Sequence, residues 1–106
     1  MTEGLAPTLK ELRHRLAKLY NDRLVNLMLY GSQARGDAAP GSDVDVLVVL
    51  KGSVSPCEEI ARTLEDVAEV SLAQGVVIAC VFVSEDQFLH ERSPLLLNVR
   101  QQGIAI

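Results

Sequence analysis

Apolar residues recur with helical spacing in the first part of the chain. From residue 8 to about residue 21, leucines follow one another at steps of three and four: Leu9, Leu12, Leu16 and Leu19. This spacing places the leucines on one stripe of a helix, which we expect to pack inward. Thr8 and Glu11 have the spacing of a capping box, in which a hydroxyl and a carboxylate bind amides of the first turn. The pattern therefore predicts an amphipathic helix that begins at Thr8.

Three apolar runs predict strands. Leu24–Tyr30 is rich in branched and aromatic residues and is closed by Gly31. Val44–Leu50 is almost wholly apolar, which is typical of a central strand that is covered on both faces. Residues 76–83 form the third run. We expect the three strands to share one sheet.

A long helix is predicted between the second and third strands. Ser55, Pro56 and Glu58 combine a capping hydroxyl, a proline at the first helical position and an acid at the third. The helix is predicted to run to Gln74, because Gly75 is suited to a left-handed terminator. Its predicted apolar face consists of Ile60, Leu64, Val67 and Leu72.

Two shorter helices are predicted in the last quarter of the chain. Ser84 and Gln87 repeat the spacing of a capping box, and Ser93-Pro94 opens a last helix that Gly103 stops. Helices thus alternate with strands, and the loops between them are short. The pattern predicts an α/β (α+β) fold in which helices flank a small mixed sheet.

Composition limits the number of domains and the class of partner. The chain has 106 residues, of which 48% are hydrophobic and 23% charged, as in ordinary globular proteins. We predict a single domain over residues 1–106, with about the first seven residues flexible. A net charge of -4 and an aromatic content of 4% argue against binding to nucleic acid, which needs cations for phosphates and rings for bases.

Neither a membrane segment nor a disulfide is predicted. The longest apolar run, residues 76–83, is far shorter than the roughly 18 residues that suggest a membrane span. Cys57 and Cys80 lack the spacing of metal ligands or redox pairs, so we expect both to be reduced and structural. These features predict a soluble cytoplasmic protein.

The turn after the first predicted strand has the residues of an anion site. Gly31 has no Cβ, so phosphate oxygens can approach the main chain there. Ser32 can cap a short helical turn whose amides, together with its own hydroxyl, donate hydrogen bonds to an anion. Arg35 adds a cation nearby, either for a phosphate or for a neighbouring acid. This turn is predicted to bind phosphate.

Two acids lie at the start of the second predicted strand: Asp43 precedes it, and Asp45 is its second residue. Asp43 and Asp45 are two residues apart, so their side chains project from the same face with Cα atoms about 7 Å apart. Like charges so placed repel each other unless a cation compensates them, and carboxylates are ligands that Mg²⁺ accepts together with water and phosphates. A carboxylate pair beside an anion turn therefore predicts a site for Mg-nucleotide.

A purely structural interpretation exists for each of these residues. Gly31-Ser32 is also typical of a simple turn, Arg35 could pair with Asp37 on the surface, and Asp45 could be an acid at a sheet edge. The joint occurrence of seven residue types at fixed spacing has a chance probability of about 10⁻⁸ per starting position. The combination therefore favours a functional site.

At these residues the chain resembles the DNA polymerase β-like nucleotidyltransferases, specifically the minimal nucleotidyltransferase proteins of prokaryotes. The matching signature is Gly31-Ser32-x-x-Arg35-Gly36-x5-Ser42-Asp43-x-Asp45. The segment from Ser93-Pro94-Leu95 to Gly103-Ile104 looks like the tail of these small proteins, so the resemblance covers nearly the whole chain. It implies the nucleotidyltransferase fold.

The resemblance also implies an activity and a partner. Members similar to this chain are often encoded beside a HEPN-domain protein and form toxin–antitoxin pairs with it, and similar antitoxins transfer AMP from ATP to a tyrosine of the toxin. Gly31, Ser32, Arg35 and Ser42 would then bind the nucleotide, and Asp43 and Asp45 would be the catalytic carboxylates that bind Mg²⁺. The expected assembly is a hetero-oligomer with the toxin or a homo-oligomer.

One feature departs from the wider family, whose active members usually have a third carboxylate on a later strand. The corresponding run, residues 76–83, contains no acid, and Glu69, Glu85 and Asp86 lie outside it. Two other functions therefore stay open: an antitoxin that neutralises its partner by binding alone and, ranked last, a free-standing RNA nucleotidyltransferase.

Overall fold

A four-stranded mixed sheet is the centre of the fold in the computed structural model, which describes residues 3–39 and 41–106. The strands are β1 (Leu24–Tyr30), β2 (Val44–Leu50), β3 (Ile78–Ser84) and β4 (Ile104–Ala105). Their order is β3-β2-β1-β4; β1 is antiparallel to both β2 and β4, and β2 is parallel to β3. The predicted mixed sheet flanked by helices is confirmed.

Five helices connect or follow the strands in the described part of the chain. They are α1 (Ala6–Tyr20), α2 (Ser32–Arg35), α3 (Pro56–Gln74), α4 (Glu85–His90) and α5 (Pro94–Gln102), and short 3-10 turns occupy Glu3–Leu5 and Asn21–Arg23. α1 and α3 pack on one face of the sheet, and α5 packs on the other face. The sheet is therefore covered on both sides, though unequally.

β2 is the most deeply buried strand, as its apolar sequence predicted. Alternate residues point to opposite faces: Val44, Val46, Val48 and Leu50 enter the core under α1 and α3, and Leu47 and Val49 enter the core under α5. The predicted bounds of β1 and β2 are confirmed residue for residue. β3 begins two residues later than predicted, at Ile78.

The predicted start of α1 is wrong. The helix begins at Ala6, and Thr8 lies inside it with 1% of its surface exposed, so the capping box with Glu11 does not form. Pro7 near the helix start explains the shift, because its fixed φ suits the first turn and its missing amide costs no bond there. Leu19 is also exposed, and Tyr20 takes the buried position instead.

The predicted apolar face of α3 is also wrong. Ile60, Leu64 and Leu72 are exposed, with only Val67 of the predicted face partly buried. The residues that α3 buries are Glu59, Thr63 and Val70. The helix is rotated in this way because hydrogen bonds from the region of α1 hold the Glu59 carboxylate inside. Its end is as predicted: Gly75 has a left-handed conformation, with φ +66°.

The two last helices follow their predicted starts. The capping box at Ser84 forms completely: its amide donates to Gln87 Oε1 (2.9 Å), and its hydroxyl accepts from the Gln87 amide (3.1 Å). Ser93 Oγ accepts from the Leu96 amide at the start of α5. The edge strand β4 was not predicted, because two residues of strand carry no detectable pattern.

Three further sequence predictions concern the start of the chain, the two cysteines and the membrane segment. The segment expected to be flexible, residues 1–7, lies partly outside the described residues; within it Glu3–Leu5 form a turn and Leu5 is buried. Both cysteines are free, and burial raises the pKa of the Cys80 thiol to about 12. None of the helices in residues 3–39 and 41–106 has the length and apolarity that crossing a membrane requires.

Candidate active site

The register of β1 and β2 brings the two predicted parts of the site together. Tyr30, the last residue of β1, pairs directly with Asp45 of β2. The turn that follows Tyr30 therefore lies beside the loop that carries Asp43 into β2. Gly31, Ser32, Arg35, Ser42, Asp43 and Asp45 are thus all found at this end of the sheet.

Gly31 lies against the carboxylate of Asp45. It has φ +75° and ψ -158°, and a Cβ built on it would lie 2.5 Å from Asp45 Oδ2. No larger residue fits without moving the carboxylate. The sequence predicted close approach of phosphate at Gly31, but the close approach of Asp45 was not predicted, because it depends on the pairing of the strands.

The turn after Gly31 is a four-residue helix, α2. The amides of Ala34 and Arg35 both donate to the Gly31 carbonyl (3.1 Å), and Gly36 ends the turn with φ +81°. Ser32 was predicted as the cap, but Gly31 occupies the cap position and Ser32 is the first helical residue. The amides at the start of such a turn have no acceptor within it, which is the arrangement that an anion can use.

Asp43 and Asp45 form the acidic part of the site. Asp43 is exposed, whereas Asp45 is half-buried and alternates along β2 with residues of the core under α1 and α3. Burial raises the pKa of the Asp45 carboxyl, and the negative charge of Asp43 raises it further. A divalent cation between the two carboxylates would remove this repulsion, so the donor set fits Mg²⁺ with two protein ligands.

A third carboxylate does not join this pair. Ala79 of β3 pairs with Asp45 and occupies the neighbouring position on the same face of the sheet. Glu85 starts α4 beyond Ser84, which pairs with Leu50 at the opposite end of β2. Across residues 3–39 and 41–106, no three His, Cys, Asp or Glu side chains gather as metal ligands. Among the described residues, the fold therefore brings no third carboxylate to Asp43 and Asp45.

Arg35 and Ser42 lie at the border of the site. Arg35 is exposed, and its Nε lies 3.3 Å from Asp37 Oδ2, so the alternative of a surface ion pair is confirmed. The Ser42 amide donates to the Ala39 carbonyl (3.1 Å). The Ser42 carbonyl accepts a weak hydrogen bond from Gln33 Nε2 (3.4 Å). Gln33 thus connects the turn after Gly31 to the loop that carries Asp43.

Gln33 and Tyr30 lie beside the candidate site residues, and the sequence analysis did not identify them. Gln33 occupies an unspecified position of the signature, and only the folded loop shows its contact with Ser42. Tyr30 shares a face with Asp45 because the two residues are paired across the strands. Burial raises the pKa of the Tyr30 hydroxyl, and the charge of Asp45 adds to the effect. The phenol therefore stays neutral in its position beside Asp45.

Sequence comparison assigns a family to this arrangement. The nucleotidyltransferase domain family matches residues 9–95, and the chain belongs to that family. A relative is MJ0604 of Methanocaldococcus jannaschii, named as a predicted protein adenylyltransferase, which is 34% identical over 80 residues. That match covers 76% of this chain and 74% of MJ0604.

Solved structures show the same fold. A chain of a toxin–antitoxin complex crystallised with AMP-PNP superposes with a TM-score of 0.63 at 18% identity, covering 98% of this chain and 72% of that one. A chain from the complex of a tri-AMPylated Shewanella oneidensis HEPN toxin with its MNT antitoxin gives 0.50 at 18% identity, covering 91% and 69%. The nucleotidyltransferase fold that the resemblance implied is confirmed.

Proposed function

We propose that this protein is an antitoxin that transfers AMP from Mg-ATP to a tyrosine hydroxyl of a HEPN-domain toxin. The observation that carries the proposal is the close approach of the turn at Gly31 to the Asp45 carboxylate. Gly31 leaves only enough room for the Asp45 carboxylate beside it, as the 2.5 Å approach of a virtual Cβ shows. A polyphosphate on the turn would therefore lie next to the carboxylate of Asp45, and Asp43 precedes Asp45 by two residues on the same loop and strand.

The nucleotide would bind through the residues of the turn and the acidic loop. Gly31 and Ser32 would hold the triphosphate through main-chain amides and the serine hydroxyl. Arg35 would exchange its exposed ion pair with Asp37 for a phosphate, at a small cost because exposed pairs contribute little. Ser42, held by Gln33, would border the nucleotide from the other side.

Asp43 and Asp45 would hold Mg²⁺. When bound, the ion supplies charge neutralisation for the phosphates and for the oxygens that enter and leave. Burial, and then the negative charge of Asp43, raise the pKa of Asp45, and a cation at this position would offset both effects, which supports the role of a metal ligand. Two carboxylates suffice for one ion, whose remaining ligands are water and phosphate oxygens.

The proposed reaction is a displacement at the α-phosphorus of ATP. The acceptor oxygen forms a bond to that phosphorus, the bond to the bridging oxygen of the β-phosphate breaks, and pyrophosphate leaves with the electron pair. The hydroxyl proton passes to solvent. Catalysis then depends on positioning and charge rather than on a covalent intermediate with this protein.

Two features support a protein acceptor rather than RNA. The relative MJ0604 is named as a predicted protein adenylyltransferase, and the similar chain from Shewanella oneidensis belongs to a complex whose toxin is AMPylated. The net charge of -4 disfavours a polynucleotide at physiological salt. ATP as donor agrees with the cytoplasmic location that we predicted.

Neutralisation by binding alone is the less favoured alternative. It was motivated by the missing third acid, which the structure replaces by Ala79. A module that only binds would gain nothing from a carboxylate at Asp45 whose pKa is raised by burial and by the charge of Asp43, or from a glycine with φ +75° beside it. Both features lower the stability of the fold, and binding alone does not require either of them.

Mass spectrometry tests the proposal directly. The protein is mixed with the product of its neighbouring gene, the candidate for the proposed HEPN-domain partner, together with ATP and Mg²⁺, and that product is examined for additions of the mass of AMP. We expect additions with the wild type and a loss of at least 100-fold in rate with Asp43→Asn or Asp45→Asn. Asp22→Asn, which changes an exposed acid outside the site, is the matched control. A stable complex without additions would support the binding module instead.

A further inference from the structure

β3 is an unprotected edge of the sheet. It has seven residues and pairs with β2 alone among the described strands, whereas the opposite edge, β4, has only two residues. Natural sheets protect their edges with charged side chains, proline, bulges or short strands. The β3 sequence, Ile-Ala-Cys-Val-Phe-Val-Ser, contains neither a charge nor a proline. Its outer row of backbone groups is therefore ready to pair with another strand.

An apolar side of α3 lies next to this open edge. We call the two together the α3–β3 surface, which comprises Ile60, Leu64, Val67, Ala68, Leu72, Val77, Ile78, Cys80 and Phe82. Ile60 is 50%, Leu64 62%, Val77 60% and Leu72 84% exposed, and two shallow grooves of about 460 and 200 Å³ run between the helix and the strand. Contiguous exposed apolar side chains of this kind mark interaction sites.

The acids of α3 lie away from this surface. Glu69 and Asp66 bind Arg15 of α1, so their side of the helix faces α1 and not the sheet edge. Helical spacing places Glu58 and Glu65 on that same side, between about 100° and 160° around the axis from Ile60 and Leu64, whereas Leu72 lies within about 20° of Glu65 at the border of the surface. The part of the α3–β3 surface around Ile60, Leu64 and Val67 is therefore apolar, although the chain as a whole is acidic and Glu65 lies near Leu72 at the border.

We propose that the α3–β3 surface binds a second copy of this chain about a two-fold axis. With the axis perpendicular to the sheet, β3 pairs antiparallel with β3 of the partner and the apolar side of one α3 packs against that of the other. The same rotation keeps the acidic sides of the two helices apart, on the far sides of the pair. A second copy thus supplies both things that the surface lacks: a strand for the edge and an apolar cover for the helix.

The dimensions of the surface set the expected strength of the dimer. β3 is about 23 Å long, and a helix and a strand side by side are about 20 Å wide, so each copy buries on the order of 500 Å². That is less than the about 800 Å² per partner of a standard interface. We therefore expect a reversible dimer with a Kd on the order of micromolar rather than an obligate one.

Light scattering coupled to size exclusion tests the proposal on the full chain alone. The mass is expected to rise from the monomer value of 11.5 kDa towards twice that value as the concentration increases from about 5 to about 500 μM. Leu64→Arg is expected to weaken the dimer at least 10-fold by placing a charge at the centre of the surface. Leu89→Arg is the matched control, because Leu89 is 59% exposed but lies on α4.

Amide hydrogen exchange is the second measurement, and it needs no variant. Protection of the β3 amides is expected to increase with concentration, while that of α1 stays constant. A wild type that remains monomeric and shows no such protection would overturn the proposal, as would dimerisation unchanged in Leu64→Arg. If Leu64→Arg instead impairs only the complex with the HEPN-domain partner, the surface belongs to that protein and the proposal is wrong. None of these readouts depends on AMP transfer.

Discussion

Replacing Gly31 and Gly52 by alanine distinguishes the effect of backbone strain from the effect of displacing Asp45. In Gly31→Ala, the new Cβ meets Asp45 Oδ2 at 2.5 Å, so the carboxylate must move. Gly52 also has a positive φ, +77°, but a Cβ there meets no atom within 4 Å. We expect both alanine variants to lose about 1 kcal/mol or more of stability, measured by chemical denaturation.

Only Gly31→Ala is expected to lose affinity for Mg-ATP, by at least 10-fold in calorimetry. The physical reason is that it alone displaces a ligand of the proposed metal site. Equal loss of affinity in Gly52→Ala, or none in Gly31→Ala, would be inconsistent with the close contact between the turn and the carboxylate.

Asp45 is expected to reduce the stability of the free protein at neutral pH. Its pKa is raised by burial and by Asp43, so the folded protein binds a proton there more readily than the unfolded chain does. The contribution of Asp45 to the free energy of unfolding is therefore most favourable at acid pH, and it is lost as pH rises through the raised pKa. Asp45→Asn should be more stable than the wild type by on the order of 0.5 kcal/mol at pH 7.

The difference between Asp45→Asn and the wild type should vanish in acid, where the wild-type carboxyl is protonated. Urea denaturation at pH 7 and at about pH 3 measures both values. Asp37→Asn, which changes an exposed acid outside the strand pair, is the control. A less stable Asp45→Asn at pH 7 would contradict the repulsion that we assign to the site.

At the scale of elements, one buried acid joins α1 to α3. Glu59 is 2% exposed; it accepts from the Tyr20 hydroxyl (2.7 Å), Arg23 (3.2 Å) and Arg62 (3.1 Å). Burial raises the pKa of this carboxyl, but the hydrogen bonds from Tyr20 and Arg23 and the two positive charges outweigh burial and lower it overall. The ionised form therefore stabilises the contact between the helices.

Glu59→Gln is expected to cost about 2 kcal/mol at pH 7, because it removes the charge that three donors surround. Because the folded-state pKa is lowered, the stabilisation is present above the ordinary glutamate value and is lost as pH falls through the lowered one. The gap between wild type and variant should therefore narrow below about pH 4, as thermal denaturation at several pH values would show. Glu58→Gln, an exposed neighbour, should be neutral at each pH.

Elements with a strong local signal could be predicted from the sequence, and orientations between elements could not. β1, β2 and the capping box at Ser84 rest on local patterns, and the structure confirms them. The prediction of the buried face of α3 was wrong because it followed the apolar residues, whereas two of the three residues that the helix buries are polar. Glu59 is buried only because Tyr20 and Arg23, distant in sequence, donate to it.

The candidate site shows the same division. Its residue types and spacing were visible in the sequence, because a turn and an adjacent strand carry them. The contact of Gly31 with Asp45, the place of Tyr30 and the link from Gln33 to Ser42 were not visible, because each depends on how β1 pairs with β2 or on how two loops meet. Whether these residues bind nucleotide remains a prediction.

At the scale of the whole molecule, the candidate site lies at one end of the sheet, where β1 ends and β2 begins. The described chain places one sheet end, one short turn and two acids together, but no further element encloses a nucleotide there. The proposed partner would supply the acceptor and cover the base. Nucleotide affinity should therefore be at least 10-fold higher in the complex than in the free chain, which calorimetry on both samples would show.

The central claim is that Asp43, Asp45 and the turn at Gly31 together form a site for Mg-ATP. Isothermal calorimetry of the assembled pair with ATP, with and without Mg²⁺, tests it most directly. We predict heat of binding that requires Mg²⁺ and disappears in Asp43→Asn and Asp45→Asn, while Asp22→Asn binds normally. Binding that is indifferent to Mg²⁺ and to both substitutions, or no binding of ATP at all, would contradict the account.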